Sequence, residues 1–276
     1  MNFMVGGKIA ITTHKPQTTR NRIMGIRNTE AGQFIFLDTP GIHKARTPLN
    51  RRMVSAAMGV FGDVNLLLLL VDAGSYIDED DNFIVQSIKK SNVPAVLVIN
   101  KIDLIKRERL LAMIESVRHL HHFEEIVPVC ALKGFNVDRL LDIIWNILPE
   151  GPQYFPDDMI TDRSERFIAA EIIREKITIL THKEVPYSTA ITIESFKENE
   201  ATGLIRIHAT VNVEKDSQKG IIIGKKGSML KKIGSGARLE MERFFDTGVY
   251  LELFVRVRKD WTHNSRMLGE FGYLDE

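Results

Sequence analysis

Three short runs in this 276-residue sequence hold the residue types that bind phosphate, purine or nucleic acid. Asp38-Thr39-Pro40-Gly41 follows an apolar run directly. A carboxylate there can hold a magnesium ion through water, and a glycine amide three residues on can approach a terminal phosphate with no Cβ in the way. Asn100-Lys101-Ile102-Asp103 follows another apolar run. The Asp103 carboxylate can accept two hydrogen bonds from guanine, Asn100 can serve the other edge of the base, and the Lys101 stem can pack on the ring face. A site built on such bonds rejects a base that leaves its polar groups unpaired. The third run is Gly224-Lys225-Lys226-Gly227. Its glycines let the backbone turn tightly against a sugar-phosphate chain, and its lysines supply charge. Between Lys215 and Lys232 six Lys face the single acid Asp216. Each run also has a plain reading: Asp, Pro and Gly make turns anywhere, and a Gly-Lys-Lys-Gly tetrapeptide suits a solvated inter-helix turn.

The surrounding pattern decides between these readings. In the first half, Gln33 to Leu37 ends at Asp38, Leu66 to Val71 at Asp72, Ala95 to Ile99 at Asn100, and Ile126 to Val129 at Cys130. Helical periodicity lies near 49–61, 80–90, 108–120 and 137–147. Alternating buried strands and helices predict an α/β domain with a mostly parallel sheet covered on both faces, and ligands beyond the carboxyl ends of its strands. Asp38, Asn100 and Cys130 are expected on that rim. Trp145 fits an apolar helix face and is expected in the core.

Pro149, Pro152, Pro156 and Gly151 interrupt any helix or strand, so a boundary is placed near residue 152, giving domains 1–152 and 153–276. The second half reads α-β-β-α-α-β. A helix is expected over 164–180, strands over 188–196 and 204–213, a helix over 228–245, a strand over 249–257 and a polar tail. Trp261 is read as core in preference to an RNA-stacking platform. A formal net charge of +1 excludes a globally basic nucleic-acid coat, so RNA contact must be local. The single cysteine excludes an intramolecular disulfide and fits a reducing cytoplasm.

At this point the sequence resembles the Era-type GTPases. Asp38-Thr39-Pro40-Gly41 and Asn100-Lys101-Ile102-Asp103 are similar to the switch II and guanine-specificity motifs of translation-factor-type GTPases. Gln17-Thr18-Thr19-Arg20 resembles the switch I segment of the Era subgroup. Cys130-Ala131-Leu132-Lys133-Gly134 resembles the last guanine loop, with Cys130 where Ser is usual. The second half is similar to a type II KH domain, whose Gly-x-x-Gly loop clamps about four nucleotides.

The resemblance implies GTP/GDP and Mg2+ as cofactors. Asp38, Thr39, Pro40, Gly41, Asn100, Lys101, Asp103, Cys130, Ala131 and Leu132 would bind the nucleotide, and Thr18, Thr19 and Asp38 the Mg2+. RNA would bind at Gly224, Lys225, Lys226 and Gly227. The implied partners are small-subunit ribosomal RNA and the small ribosomal subunit. The implied setting is a cytoplasmic monomer, with peripheral association at the inner face of the cell membrane. Ile42 follows Gly41, so the resemblance offers no side chain to position an attacking water.

The resemblance also requires Gly-x-x-x-x-Gly-Lys-Ser/Thr, and neither Gly7-Lys8 nor Gly224-Lys225 completes it. The expectation is an N-terminally truncated GTPase domain, without its phosphate loop and without the strand between those ending at Asp38 and Asp72. A missing strand would open a gap of about 10 Å and unfold the first half or collapse it into a new arrangement. Such a chain would bind GTP poorly and would not hydrolyse it. A reading frame begun at an internal methionine and a degenerate protein both account for this. The rival function is a nucleotide-incompetent RNA-binding KH protein.

Overall fold

The computed structural model describes residues 1–16, 18–42 and 47–273. One helical turn, α1 (Asn2–Val5), precedes an antiparallel hairpin of β1 (Ile23–Thr29) and β2 (Gly32–Asp38). Next in the chain are α2 (Pro48–Gly59), β3 (Leu67–Asp72), α3 (Glu79–Ser91), β4 (Ala95–Asn100), α4 (Arg107–Val117), β5 (Glu125–Pro128) and α5 (Val137–Ile147). The second half holds α6 (Glu165–Leu180), β6 (Thr189–Glu198), β7 (Ile205–Val213), α7 (Asp216–Ile223), α8 (Ser228–Phe245), β8 (Val249–Val257) and α9 (Ser265–Glu270).

Local chemistry sets several of these starts. The Thr47 hydroxyl accepts from the Asn50 amide at 3.1 Å with Pro48 opening α2. Asp78 and Asp81 form a capping box on α3, and Ser164 caps α6.

The strands β3, β4 and β5 form a parallel sheet in that order. On β4, Ala95, Leu97 and Ile99 face a core that includes Val85 and Ile88 of α3 and Val117 of α4. Val96 and Val98 face Leu140, Leu141 and Ile144 of α5. The strand period of two thus divides one apolar run between two covered faces.

Some expectations change. The hairpin partner β1 is an addition to the sequence reading. β2 and β3 belong to separate sheets, and Phe34 of β2 reaches the core shared by Val96 and Val98. β3 is not wholly buried: Leu70 is 58% exposed, because β3 lies at one edge of its sheet. Trp145 is not core either, at 38% exposure. It packs on Phe34 with ring centroids 5.2 Å apart, at the turn where Gly32 replaces a Cβ that would meet the indole.

In the second half, β6 pairs antiparallel with β7, and β7 pairs parallel with β8. The core between this sheet and α6 and α8 is drawn wholly from the second half. The other face of α6 is covered by residues 8–16 and 18–20, which the helix expected over 164–180 did not by itself reveal. Arg174 donates to the Thr18 carbonyl at 2.7 Å, and Lys8 pairs with Glu175 at 2.8 Å. The tail beyond β8 is not simply polar. Trp261 is fully buried, and its Nε1 donates to the Ser188 carbonyl at 3.0 Å. Trp261 and Leu268 pack with Leu49 and Met53 of α2, which ties the two halves together.

Candidate functional site

Parallel register brings Asp72 beside Asn100 at the carboxyl ends of β3 and β4. The Asn100 Oδ1 accepts from the Lys101 amide at 2.8 Å and from the Ala131 amide at 3.0 Å. One side chain therefore pins together the two loops that the sequence assigned to a purine. Lys101 adopts a left-handed conformation, and its Nζ donates to Asp72 at 2.7 Å. Burial alone would raise the Asp72 carboxyl, but hydrogen bonds from Lys101 and the Gly74 amide hold it below its usual range.

Asp103 sits in a single 3-10 turn, Ile102–Leu104. Lys133 Nζ lies 3.1 Å from its carboxylate, and the Cys130 side chain stands beside it. The Cys130 thiol first, and Lys133 after it, hold the Asp103 carboxyl below the usual range, while Asp103 holds Lys133 above its own. The result is an ionised double acceptor open to solvent, beside the half-exposed Lys101 and the 80% exposed Leu132. A planar base with adjacent ring N–H and amine donors fits this arrangement.

A second cluster lies at the end of β2. The Thr19 hydroxyl donates to Asp38 at 3.3 Å, and burial pushes the Asp38 carboxyl above its usual value. The Met1 ammonium offsets part of that penalty, and a carboxylate beside a hydroxyl is a ligand pair that a magnesium ion also takes. Thr18 faces elsewhere, its hydroxyl donating to the Lys15 carbonyl at 2.8 Å. Gln17 lies outside the described residues. After Asp38 and Thr39, Pro40 is buried, and Gly41 is exposed with open space where a Cβ would stand.

The third cluster is the turn between α7 and α8. Gly224 has φ 72°, and a Cβ there would lie 2.6 Å from Met229 Cβ, so only glycine fits. Lys226 and Gly227 also take positive φ, which presents the exposed Lys225 and Lys226 at the tip. Sequence reading missed Arg20, Arg174 and Lys133. The partners of Arg20 are carbonyls and a hydroxyl of the other half, and Arg174 adds the Thr18 carbonyl to its i,i+3 pair with Glu171; no local spacing indicates these distant contacts.

Comparison with known proteins places these clusters in a family. Residues 184–262 match the KH domain family, and residues 1–101 match a family described as 50S ribosome-binding GTPase. GTPase Era of Syntrophus aciditrophicus is 62% identical over 273 residues, covering 99% of this chain and 89% of the relative. The chain belongs to the Era GTPase family. Era of Geotalea uraniireducens is 54% identical over 99% of this chain and 92% of its own length.

Among solved structures, Era in complex with MgGDPNP and nucleotides 1506–1542 of 16S ribosomal RNA has a TM-score of 0.95 at 41% identity, covering 99% of this chain and 93% of its own. A variant of Aquifex aeolicus Era bound to GDP and AlF4− also reaches 0.95, at 40% identity over 99% of this chain and 93% of its own. The elements of the first half thus keep the Era arrangement, and the collapse expected from the sequence is not seen.

The Cys130 contact makes one prediction. In a chain supplied with a Gly-x-x-x-x-Gly-Lys-Ser/Thr segment, Cys130→Ser should keep guanine-nucleotide affinity within about threefold, because a hydroxyl can face Asp103 as the thiol does. Cys130→Val should weaken it by about tenfold, the scale of one lost hydrogen bond to a charged group. Titration of a fluorescent GDP analogue checks both. Equal affinity of the Val variant and wild type would show that Cys130 does not orient Asp103.

Proposed function

We propose that this protein is a GTP-binding, RNA-binding assembly factor of the small ribosomal subunit. The observation that carries this reading is the pairing, in one chain, of an ionised Asp103 acceptor site with a Gly224–Gly227 turn at the head of α8. Guanine would be held by Asp103, Asn100, Cys130, Ala131 and Leu132, with the Lys101 stem on the ring. Mg2+ would be held on the side of Thr19 and Asp38, where it would neutralise phosphate charge. Thr39, Pro40 and Gly41 would face the terminal phosphate, and Thr18 would shape the switch segment through its backbone contact with Arg174.

The family acts as a GTPase. The phosphate-cradling role falls to none of the described residues, since no Gly-x-x-x-x-Gly-Lys-Ser/Thr stands in the sequence. We divide the chain into a nucleotide domain, 1–152, and a KH domain, 153–276. The RNA expected is the 3′ region of small-subunit ribosomal RNA, after the 16S segment in the Era complex that matches 99% of this chain. The large-subunit wording of the other family covers only residues 1–101 and carries less weight. No helix of the described residues is long and apolar enough to cross a membrane. A cytoplasmic monomer, touching the inner face of the cell membrane at most peripherally, is part of the same proposal.

The test reverses charge at the turn. Lys225→Asp with Lys226→Asp leaves both glycines in place, so the backbone turn should persist. RNA affinity should fall at least tenfold. The slope of log affinity against log salt should become shallower by about 1.4, from two fewer phosphate contacts on a single strand. The full chain is used, because Arg174 and Glu175 of α6 find partners at Thr18 and Lys8. Circular dichroism checks the fold. A folded variant that binds RNA as tightly as wild type would overturn the RNA assignment.

A further inference from the structure

The inner face of the second-half sheet is filled by Ile205, Ile207, Ala209, Val211 and Val213 of β7, all buried against the helices. Alternation sends Arg206, His208, Thr210 and Asn212 to the opposite face. That outer face is closed at one end only. Thr210 and Asn212 are 3% and 2% exposed, where Ala190 is covered by Leu49, Met53, Trp261 and Leu268.

The other end is open, and so is the β8 edge of the face at Phe254 and Arg256. Register places Lys197 opposite Arg206 and Arg206 opposite Tyr250, which makes one row across all three strands. Two rows further along β8, Phe254 stands opposite Thr210, and Arg256 opposite Asn212 ends the series. Tyr250 is 51% exposed and Phe254 54%. Lys197, Arg206 and Arg256 are exposed and make no ion pair with a described residue. The one acid of these rows, Glu252, lies 3.5 Å from His208.

Two aromatic rings in open positions, interleaved with unpaired cations, are the surface on which single-stranded bases stack while their phosphates are neutralised. A protein partner would have to bring carboxylates to the cations, whereas single-stranded RNA carries bases and phosphates together along one strand. The geometry is continuous with the turn already described. β8 is the edge strand, and both α7 and α8 pack on it. A strand of RNA gripped near Gly224 to Gly227 can therefore pass over the β8 edge onto this face. The turn itself accounts for only about four nucleotides, so a longer RNA needs further surface.

We propose that the open sheet face formed by Tyr250, Phe254, Lys197, Arg206 and Arg256 is a second single-stranded RNA contact. Tyr250 and Phe254 are stacking platforms, and the three cations are phosphate contacts. This rests on the reading that the chain binds RNA through the α7–α8 turn, and the experiment separates the two.

The full chain is titrated with an RNA spanning nucleotides 1506–1542 of 16S ribosomal RNA, the segment present in the Era complex. Tyr250→Ser with Phe254→Ser should lower affinity at least tenfold and leave the salt slope unchanged, because stacking releases no counterions. Arg206→Glu with Arg256→Glu should lower both affinity and slope. Tyr250→Phe with Phe254→Tyr should bind as wild type, since every aromatic ring stacks; a merely structural role for the Tyr hydroxyl would not be rescued in this way. Circular dichroism and the thermal midpoint confirm that each variant folds.

If the Ser variant folds and binds as tightly as wild type while the Lys225, Lys226 variant loses affinity, the second contact is wrong and the turn stands. If neither variant loses affinity, or wild type does not bind this RNA, the RNA reading fails and the proposal with it. If the Ser variant keeps its RNA affinity but no longer binds intact small subunits, the face docks protein and the RNA proposal is overturned.

Discussion

In a chain supplied with a Gly-x-x-x-x-Gly-Lys-Ser/Thr segment, Asp103→Asn should reduce guanine-nucleotide affinity at least a hundredfold and shift preference towards xanthine nucleotides. Asp103 is held ionised by the Cys130 side chain and Lys133, so it offers two acceptor oxygens to the ring N–H and the amine of guanine. An amide offers one acceptor and sets its donor against a guanine donor. Losing one bond to a charged acceptor and setting a donor against a donor leaves polar groups unpaired, which is the kind of mismatch that discriminates strongly. The same amide can donate to the oxygen that xanthine carries in place of the amine. Stability should change little, because the ion pair it loses, to the 65% exposed Lys133 side chain, is of the surface kind. Competition among GTP, XTP and ATP for a labelled nucleotide gives the ranking. Because the carboxyl lies below its usual range, wild-type guanine preference should stay flat as pH falls from 8 to about 5. An Asn variant that still prefers GTP to XTP would reduce Asp103 to a turn residue.

How much of this was legible depended on whether the determining contact was local. The helix 228–245 and the strand 249–257 were read to their observed ends, since the apolar period and the flanking glycines and polar residues sit within each element. Asn100 and Asp103 were placed at a strand end because a run of five apolar residues must be buried and the polar residues after it must emerge. β1 was missed: Gly25, Arg27 and Asn28 weaken its own signal, and pairing with β2 is what makes it a strand. Leu70 and Trp145 show a different limit. A uniform apolar run does not say which strand lies at an edge, and an apolar helix stripe does not say how far its last large residue is covered. The fully buried Ile173 and Ile177 marked one face of α6, but the equally buried Arg174 and Glu175 on the other face looked like solvated positions. Arg174 has a local partner in Glu171, but the groups that cover this face, a carbonyl at Thr18 and an ammonium at Lys8, lie more than 150 residues earlier. The Cys130 contact with Asp103 likewise joins two loops that only the sheet brings together.

Arg20 is the clearest product of such distant contacts, and its removal should have the largest effect on stability. The guanidinium is buried at 6% exposure. Its Nη1 donates to the Thr189 carbonyl at 2.7 Å and the Tyr273 hydroxyl at 3.0 Å, and its Nη2 donates to the carbonyls of Pro186 at 2.8 Å and Tyr187 at 3.0 Å. No carboxylate bonds it directly. Burial lowers its pKa, and the neutral oxygens around it are what make the charge tolerable.

Arg20→Met keeps much of the volume and leaves three carbonyls without a donor. Each buried orphan costs about 1–3 kcal/mol, and relaxation recovers part of the sum, so a loss of about 3–5 kcal/mol is expected in urea unfolding. Arg20→Lys should recover only part of it, since one ammonium cannot span the two sides of the cage. The penalty should be flat between pH 6 and 9, where arginine remains protonated. A second readout distinguishes positioning from bulk stability. Arg20 adjoins Thr19, which faces Asp38, whereas Asp103 lies in the turn after β4 of the parallel sheet. Below the unfolding transition, and in a chain supplied with a Gly-x-x-x-x-Gly-Lys-Ser/Thr segment, the variant should lose Mg2+ dependence of nucleotide binding while its preference for GTP over XTP persists. An Arg20→Met protein within about 1 kcal/mol of wild type, with Mg2+ dependence intact, would show that the cage is incidental to both the fold and the site.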